Sequence, residues 1–287
     1  MMFISEFHNL YKSNGLSPDV IEQFRSIICS YFKQQGRNFP FRKNITPYNV
    51  LVSEIMLQQT QTGRVAEKFL NFIEKFPNFS ILSKASLEDV LKVWQGLGYN
   101  RRAIALKKIA EIVVDDYNGE LPNTVESLKK FPQIGHNTAS SIVAFAYNKP
   151  TIFIETNIRR VYIYFFFPSK NNIKDKEIIP ILEKTIDIKN PREWYYALMD
   201  YGVMLKKTFP DLNKRSSHYR KQTSFKGSNR QIRGELLRMI IKKKSLTITD
   251  IEKELKDASV KRIISVLSQL QKEGFLRIKN DTIQIVK

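Results

Sequence analysis

Up to about residue 205, apolar side chains recur at steps of three and four, the period of helices that bury one face, and strand-like alternation is scarce. The pattern is plainest in Val65 to Phe76, Leu87 to Trp94, Ala103 to Val114 and Thr138 to Tyr147. Turn formers separate these runs: Phe76-Pro77, Gly96-Leu97-Gly98, Asn118-Gly119 and Leu121-Pro122. Sheet-based folds are thereby excluded for this part of the chain, and residues 1–204 are expected to form an all-α domain. The aromatic-rich stretches Tyr162, Tyr164, Phe165–Phe167 and Trp194–Tyr196 are expected to fill its core rather than to stack on bases.

The composition changes after Leu205. Between Leu205 and Arg233, nine Lys or Arg residues stand against one acid, Asp211, and Ser, Asn and Gly are frequent. Residues 205–228 read as a basic linker. Residues 229–287 reset the pattern: a helix over Ile232–Ile241, a Thr247–Asp250 cap opening a short helix to Leu255, and an amphipathic helix over Val260–Lys272. Residues 274–278 and 282–286 then form a hairpin around Lys279-Asn280-Asp281. Three helices followed by a hairpin is the winged-helix order. Basic residues on its third helix, Lys261 and Arg262, are expected to face DNA, though such modules also serve as protein contacts.

The chain has 287 residues, 42% of them hydrophobic, enough for packed cores; its 47 Lys and Arg against 28 Asp and Glu leave a formal charge of +19. Such an excess implies a polyanionic partner, most simply nucleic acid. No apolar run reaches the roughly 20 residues that span a bilayer. The amino terminus carries Glu6, His8 and Lys12 instead of the apolar centre of a secretory signal. No membrane role and an intracellular location are therefore expected; protein partners are not legible. Cys29 is the only cysteine, which rules out an intramolecular disulfide, a cysteine-held iron–sulfur cluster and a Cys-rich zinc site. The three histidines stand too far apart to show metal-ligand spacing. No cofactor or metal is expected.

Three stretches carry chemistry. Phe131 to Ala139 joins two helical segments through a short turn containing Gly135, and amides at the start of the following helix can hold a phosphate. Glu54, between Val52 and Ile55, sits in an otherwise apolar helix start, where desolvation raises a carboxyl pKa and suits it to donate a proton. Glu155 follows the apolar run Thr151–Ile154, with Asn157 two residues on. Two carboxylates in unlike environments can cleave a glycosidic bond, one as acid and one facing an oxocarbenium ion. On pattern alone, both read first as surface or helix-capping carboxylates.

Phe39-Pro-Phe-Arg42, Thr46-Pro-Tyr48, Ser53-Glu-Ile-Met-Leu-Gln-Gln-Thr-Gln61, Trp94-Gln-Gly-Leu-Gly-Tyr99, the Phe131–Ala139 turn and Asn157-Ile-Arg-Arg-Val161 occur in this order. So arranged, they resemble the MutY-type adenine glycosylases, which share the helix-hairpin-helix glycosylase superfamily with endonuclease III. The resemblance covers roughly residues 20 to 205, and Met56–Gln61 points to the adenine branch. It implies a mainly α, two-lobed helix-hairpin-helix glycosylase fold, here followed by a small winged-helix domain. It also implies base-excision repair: monofunctional hydrolysis of a flipped adenine opposite 8-oxoguanine or guanine in mismatched duplex DNA.

Several roles follow from the resemblance. Glu54 protonates the adenine ring, Glu155 stands where the family has a catalytic Asp, and Asn157 supports it. Gln59 and Tyr99 fall at duplex-wedging positions, with Gln58 a DNA-binding neighbour, Arg42 beside the base pocket, and Asp200 at an acid near that pocket. Gln133, Ile134, Gly135, Asn137 and Thr138 form the DNA-binding hairpin; Asn137 occupies the position of the endonuclease III Schiff-base lysine, so no lyase step by that lysine is expected.

There are departures. Glu155 is one methylene longer than Asp, and Thr156 stands where relatives often carry Gly. Gln133 replaces a hairpin Gly, which strains it if the turn needs positive φ. The cluster cysteines are missing after Met204, and a winged helix replaces the usual Nudix-like domain. A glycosylase for another damaged or mismatched base, and a DNA-binding or regulatory protein without turnover, are the competing readings.

Overall fold

The computed structural model of the chain describes residues 2–221 and 223–286. Helices α1 (Met2–Asn14), α2 (Pro18–Gln35) and α3 (Pro47–Leu57) lead into α4 (Thr62–Lys75), α5 (Phe79–Lys84), α6 (Leu87–Trp94) and α7 (Arg101–Asp116). Then come α8 (Val125–Leu128), α9 (His136–Tyr147), α10 (Thr156–Phe166), α11 (Asp175–Thr185) and α12 (Pro191–Thr208). The chain closes with α13 (Asn229–Lys243), α14 (Ile248–Glu254), α15 (Val260–Lys272), β1 (Leu276–Lys279) and β2 (Thr282–Ile285). Many starts are set locally by a side chain that accepts a first-turn amide: Ser17, Asn78, Ser86, Thr124, Ser228 and Thr247.

The contacts divide the chain into two units, each formed by two stretches of sequence. The first comprises Met1–Glu54 and Pro122–Lys221. Its core is aromatic: Phe24 lies 5.0 Å from Phe165, 4.9 Å from Phe166 and 5.7 Å from Trp194, centroid to centroid, and Phe7 meets Phe165 edge-on at 5.1 Å. Such edge-to-face contacts suit the ring quadrupoles. Of the stretches expected to be core, Tyr162, Phe165, Phe166, Trp194 and Tyr195 are buried, whereas Tyr164, Phe167 and Tyr196 are half-buried, Tyr196 turned toward the site described below.

The second unit comprises Ile55–Leu121 and Gln222–Lys287. The carboxy-terminal region therefore groups with α4–α7. Its element order is the expected one, and β1 pairs antiparallel with β2, Leu276 opposite Ile285 and Ile278 opposite Ile283. Leu246 adds an antiparallel bridge to Ile283. Leu236, Ile240, Ile251, Ile263, Leu270 and Phe275 are all but fully buried there. Glu273 ion-pairs with Arg233 of α13 and with Arg101 of α7.

The stretch expected to be a linker differs. Helix α12 continues to Thr208, and a 3-10 turn over Leu212–Arg215 follows, with Leu205 and Leu212 buried. Arg215 donates to the Phe167 and Lys170 carbonyls, and Ser216 bridges Ile173. Two apolar anchors and one arginine thus pin residues that composition alone describes as a solvated connector.

Candidate active site

Glu54 lies two turns into α3 rather than at its start. Val50, Leu51, Val52, Ile55 and Met56 around it are buried, so the helix is enclosed on most sides and the half-buried Glu54 is its acid in apolar surroundings. Burial pushes its pKa up to about 7, the nearby Glu155 carboxylate adds to the rise, and Ser141 and Arg42 oppose it. Ser141 Oγ, on α9, lies 2.5 Å from Glu54 Oε2 and 3.0 Å from the Thr138 carbonyl. When Glu54 is ionised the hydroxyl donates to it. When Glu54 is protonated, its own O–H can donate to Ser141, whose proton then goes to Thr138. The serine thus accommodates both states of a proton donor.

Glu155 is the N-cap of α10. Its Oε1 accepts the amides of Asn157 at 2.9 Å and Ile158 at 3.1 Å, and Oε2 accepts the Asn157 side-chain amide at 3.3 Å. Burial raises its pKa while these three donors and Arg160 hold it down. The capping alternative left open by the sequence is thus correct, and it does not exclude the catalytic one: the helix end that fixes the carboxylate also favours its anionic form.

Asn157 Oδ1 accepts from Arg160, which also donates to the Gly202 carbonyl, both at 2.7 Å. Gly202, on α12, needs its missing side chain: a Cβ there would stand 2.4 Å from the Asn157 carbonyl oxygen and 2.7 Å from its Cβ. In a helix interior Gly→Ala usually gains about 1 kcal/mol. Here the overlap reverses the sign, and Gly202→Ala is expected to destabilise by about 1–3 kcal/mol through overpacking. It should also slow catalysis by displacing the first turn of α10; thermal unfolding and single-turnover rates check both.

Arg42 and Asp200 are brought together, but not as expected. The Asp200 side chain is fully buried, with Arg42 at 2.9 and 3.0 Å, Arg37 Nε at 2.8 Å and the Arg37 amide at 2.7 Å. With both oxygens committed, Asp200 does not line a base pocket. It holds Arg42, whose guanidinium stacks 4.3 Å from the Tyr196 ring centroid. Tyr196 stacks in turn on Phe145 at 4.7 Å, and its pKa rises to about 12 through burial and the nearby Glu54.

In the hairpin between α8 and α9, Gln133 has φ +59°, so it adopts the left-handed conformation its position demands, at a strain of roughly 1 kcal/mol. Gly135 does not: at φ −85° it is the extended N-cap of α9 and has no side chain to cap it. Ile134 is buried and anchors the turn, Thr138 is half-buried, and the exposed Asn137 donates to the Ile154 carbonyl at 2.8 Å. That bond ties the hairpin to the residue preceding Glu155.

The second unit carries the wedge candidates. Gln59 (φ +55°) and Tyr99 (φ +47°) are both left-handed and exposed, a strained conformation for side chains of this size; Gln58 is half-buried. Arg102, which the sequence did not single out, holds the backbone beneath them. It is 3% exposed and donates to the carbonyls of Ile55, Met56, Gln58, Leu97 and Gly98 at 2.6–3.2 Å, and to Thr60 Oγ1 at 3.0 Å. Burial lowers its pKa to about 10. Lysine keeps the charge but loses the fork that reaches two loops at once. Arg102→Lys should therefore cost about 3 kcal/mol or more by stranding buried carbonyls, and should lower the rate at saturating DNA; urea unfolding and single-turnover kinetics test the pair of effects.

Of the two basic residues on α15, Lys261 is exposed as expected. Arg262 is half-buried, its guanidinium donating to Asn229 Oδ1 at 2.8 and 3.1 Å and to the Gly227 carbonyl at 2.8 Å. It fastens α15 to the start of α13. Among the described residues, no helix is long and apolar enough to cross a membrane, and no His, Cys, Asp and Glu group could hold a metal ion.

Residues 52–187 match the family described as HhH-GPD superfamily base excision DNA repair protein. This segment belongs to the HhH-GPD superfamily. The HhH-GPD segment holds Glu54, the hairpin, Glu155, Asn157 and both wedge positions, while Arg42, Asp200 and Gly202 lie outside it. The chain is 36% identical over 187 residues to an adenine DNA glycosylase of Buchnera aphidicola subsp. Baizongia pistaciae, covering 63% of this chain and 52% of that protein. It is 36% identical over 135 residues to the Mycobacterium tuberculosis adenine DNA glycosylase, covering 47% and 44%, and 30% identical over 205 residues to the human one, covering 67% and 38%. The chain thus spans about half the length of the bacterial relatives it matches. A thermostable thymine-DNA glycosylase aligns with TM-score 0.57 and 26% identity, covering 64% of this chain and 86% of its own. A non-covalent endonuclease III–DNA complex aligns at 0.53 and 21%, covering 63% and 85%, a likeness of fold alone.

Proposed function

We propose that this chain is a DNA glycosylase that hydrolyses the N-glycosidic bond of an adenine extruded from mismatched duplex DNA, with 8-oxoguanine or guanine opposite. The observation that carries the proposal is the pairing of Glu54, a carboxyl held near pKa 7, with Glu155, a second carboxylate near enough to raise it. At neutral pH Glu54 retains its proton in a substantial fraction of molecules and passes it to a ring nitrogen of the base, so that adenine leaves neutral. Glu155, fixed by the Asn157 and Ile158 amides, faces the sugar as positive charge develops. Water completes the hydrolysis. Arg42 and Tyr196 form a cation–aromatic wall beside Glu54, where a flipped base can stack.

The same reading dispenses with two familiar additions. Asn137 has no amine, so no Schiff base forms there. The donor set does not fit an iron–sulfur cluster, because Cys29 is the only cysteine and lies on α2. Leu205, Leu212 and the Arg215 contacts order the segment beyond α12 in its place. The partner is duplex DNA, attracted by the +19 charge, and the place of action is wherever that DNA resides in the cell. Lys261 and its neighbours on α15 add a winged-helix-type surface for the same polyanion.

The test is a panel of duplexes carrying each mismatch and common base lesion, incubated with excess protein and then treated with hot alkali to reveal abasic sites. Release of adenine, fastest opposite 8-oxoguanine or guanine, is the expected result, with a rate that declines above about pH 7 as Glu54 loses its proton. Release of a different base would reassign the substrate. Binding without release on every duplex would leave a non-catalytic DNA-binding protein.

A further inference from the structure

Helix α9 is apolar where it packs: Ala139, Ile142, Val143, Ala144 and Phe145 are buried, and two serines stand among them. The two serines differ. Ser140 is fully buried and its Oγ has no hydrogen-bond partner. Ser141, 4% exposed, turns its hydroxyl to Glu54 Oε2 at 2.5 Å, with the Thr138 carbonyl 3.0 Å away on its own helix. Among the described residues this is the one side-chain hydrogen bond to the Glu54 carboxyl, and it engages Oε2 alone. Glu54 is half-buried, so the other oxygen is not sealed in. The remaining charged or titratable groups that face Glu54 are Glu155 from α10, Arg42 from the 3-10 turn over Pro40–Arg42, and Tyr196 from α12. All belong to the first unit.

We propose that Ser141 is a positioning residue that fixes which oxygen of Glu54 delivers the proton: the serine holds Oε2, and the transferable proton sits on Oε1. The inference rests on the glycosylase reading. A protonated carboxyl can carry its proton on either oxygen. With the proton on Oε2, that oxygen donates to Ser141, the serine donates to Thr138, and the acid is turned away from any base. With the proton on Oε1, Ser141 donates to Oε2 both before and after transfer. The proton then passes from Oε1 to a ring nitrogen, and the electron pair of the broken O–H bond stays on the carboxylate. The glycosidic electrons leave with the base, and the water that adds to the sugar releases the proton that recharges Glu54. Ser141 stabilises the charge left on the carboxylate meanwhile, as a donor to an anion does. The same bond opposes the burial and the Glu155 charge that favour protonated Glu54. It therefore makes Glu54 a stronger acid and limits how far into the alkaline range the proton persists.

The test follows single-turnover adenine release from pH 5 to pH 9 for wild type, Ser141→Ala, Ser141→Thr and Ser140→Ala, with urea unfolding at each pH. Ser141→Ala should lower the low-pH plateau by about tenfold, because the carboxyl is no longer held in one orientation. It should also move the alkaline midpoint up by about one pH unit, the order expected for one charge-assisted hydrogen bond. Ser141→Thr keeps a hydroxyl that can bond a carbonyl one turn back and should restore both. Ser140→Ala removes a neighbouring buried hydroxyl and should change neither. A merely loosened helix would lower the rate at every pH without moving the midpoint, so a wild-type midpoint in Ser141→Ala overturns the proposal. A Ser140→Ala profile displaced like that of Ser141→Ala would overturn it as well. The unfolding data need no turnover. In wild type the stability linked to Glu54 is gone above about pH 7; in Ser141→Ala its loss should continue for about one further unit. That shift, without adenine release by any of the proteins, would leave the serine's hold on the Glu54 proton standing and remove the catalytic reading. Release without either shift would overturn the proposal alone.

Discussion

Glu54→Gln abolishes base release and leaves DNA affinity close to wild type. General acid catalysis contributes about 10²–10⁴-fold in typical enzymes, and the amide has no proton of suitable acidity, so a loss of at least that order is expected in single-turnover assays. Glutamine matches the carboxyl in shape and its oxygen can still accept from Ser141, so the pocket should persist. A stability measurement separates this reading from misfolding. The folded pKa of about 7 lies above the ordinary 4.5, so the folded state holds this proton more tightly than the unfolded chain does. Stability linked to Glu54 is therefore fully present below about pH 4.5, is lost as pH rises, and is gone above about 7. Glutamine does not titrate. The variant should accordingly become more stable relative to wild type from pH 5 to pH 8 while remaining inactive throughout. A variant that releases adenine at the wild-type rate would remove Glu54 from the mechanism.

What could be read from the residues alone was the local part. Helix α6 begins and ends at the expected residues because Ser86 caps it and Gly96 lies just beyond it, both short-range devices. Glu54 was legible from its apolar neighbours, since desolvation follows from what surrounds a residue on its own helix. The meeting of Glu54 with Glu155 was not, because it depends on how α3, α9 and α10 pack. Ser141, Gly202 and Arg102 carry no pattern of their own: a serine in a helix or a second arginine at a helix start is unremarkable until a carboxylate or a row of carbonyls is brought to it. The same limit explains the errors. Arg262 looks solvent-facing by charge, yet its acceptors come from the Gly227–Asn229 loop. Asp200 looks like a pocket acid, yet two arginines from the segment after α2 consume it. The basic stretch after Leu205 hid the apolar residues that anchor it.

The substitutions at Glu155 carry the second large effect. Glu155→Gln should be nearly inactive, because a neutral amide cannot balance the charge of the oxocarbenium ion. Glu155→Asp is more informative. Aspartate is a preferred N-cap and would keep α10 intact, so any change in rate reports the position of the carboxylate rather than the fold. In this structure the longer side chain reaches the Asn157 and Ile158 amides at 2.9 and 3.1 Å and the Asn157 side chain at 3.3 Å, a complete set of donors with no gap left by the extra methylene. The first turn of α10 is built to that length, with Gly202 allowing the Asn157 backbone to lie close against α12. Shortening the side chain should draw the carboxylate back by about 1 Å, a displacement that can cost on the order of a hundredfold. The expected order is therefore wild type, then Asp, then Gln, measured as single-turnover release of adenine opposite 8-oxoguanine. A faster Asp variant would mean that the site retains the geometry of an aspartate pocket and that Glu155 handicaps it. Equal rates for all three would reduce Glu155 to a helix cap and leave the cation to be stabilised by another group.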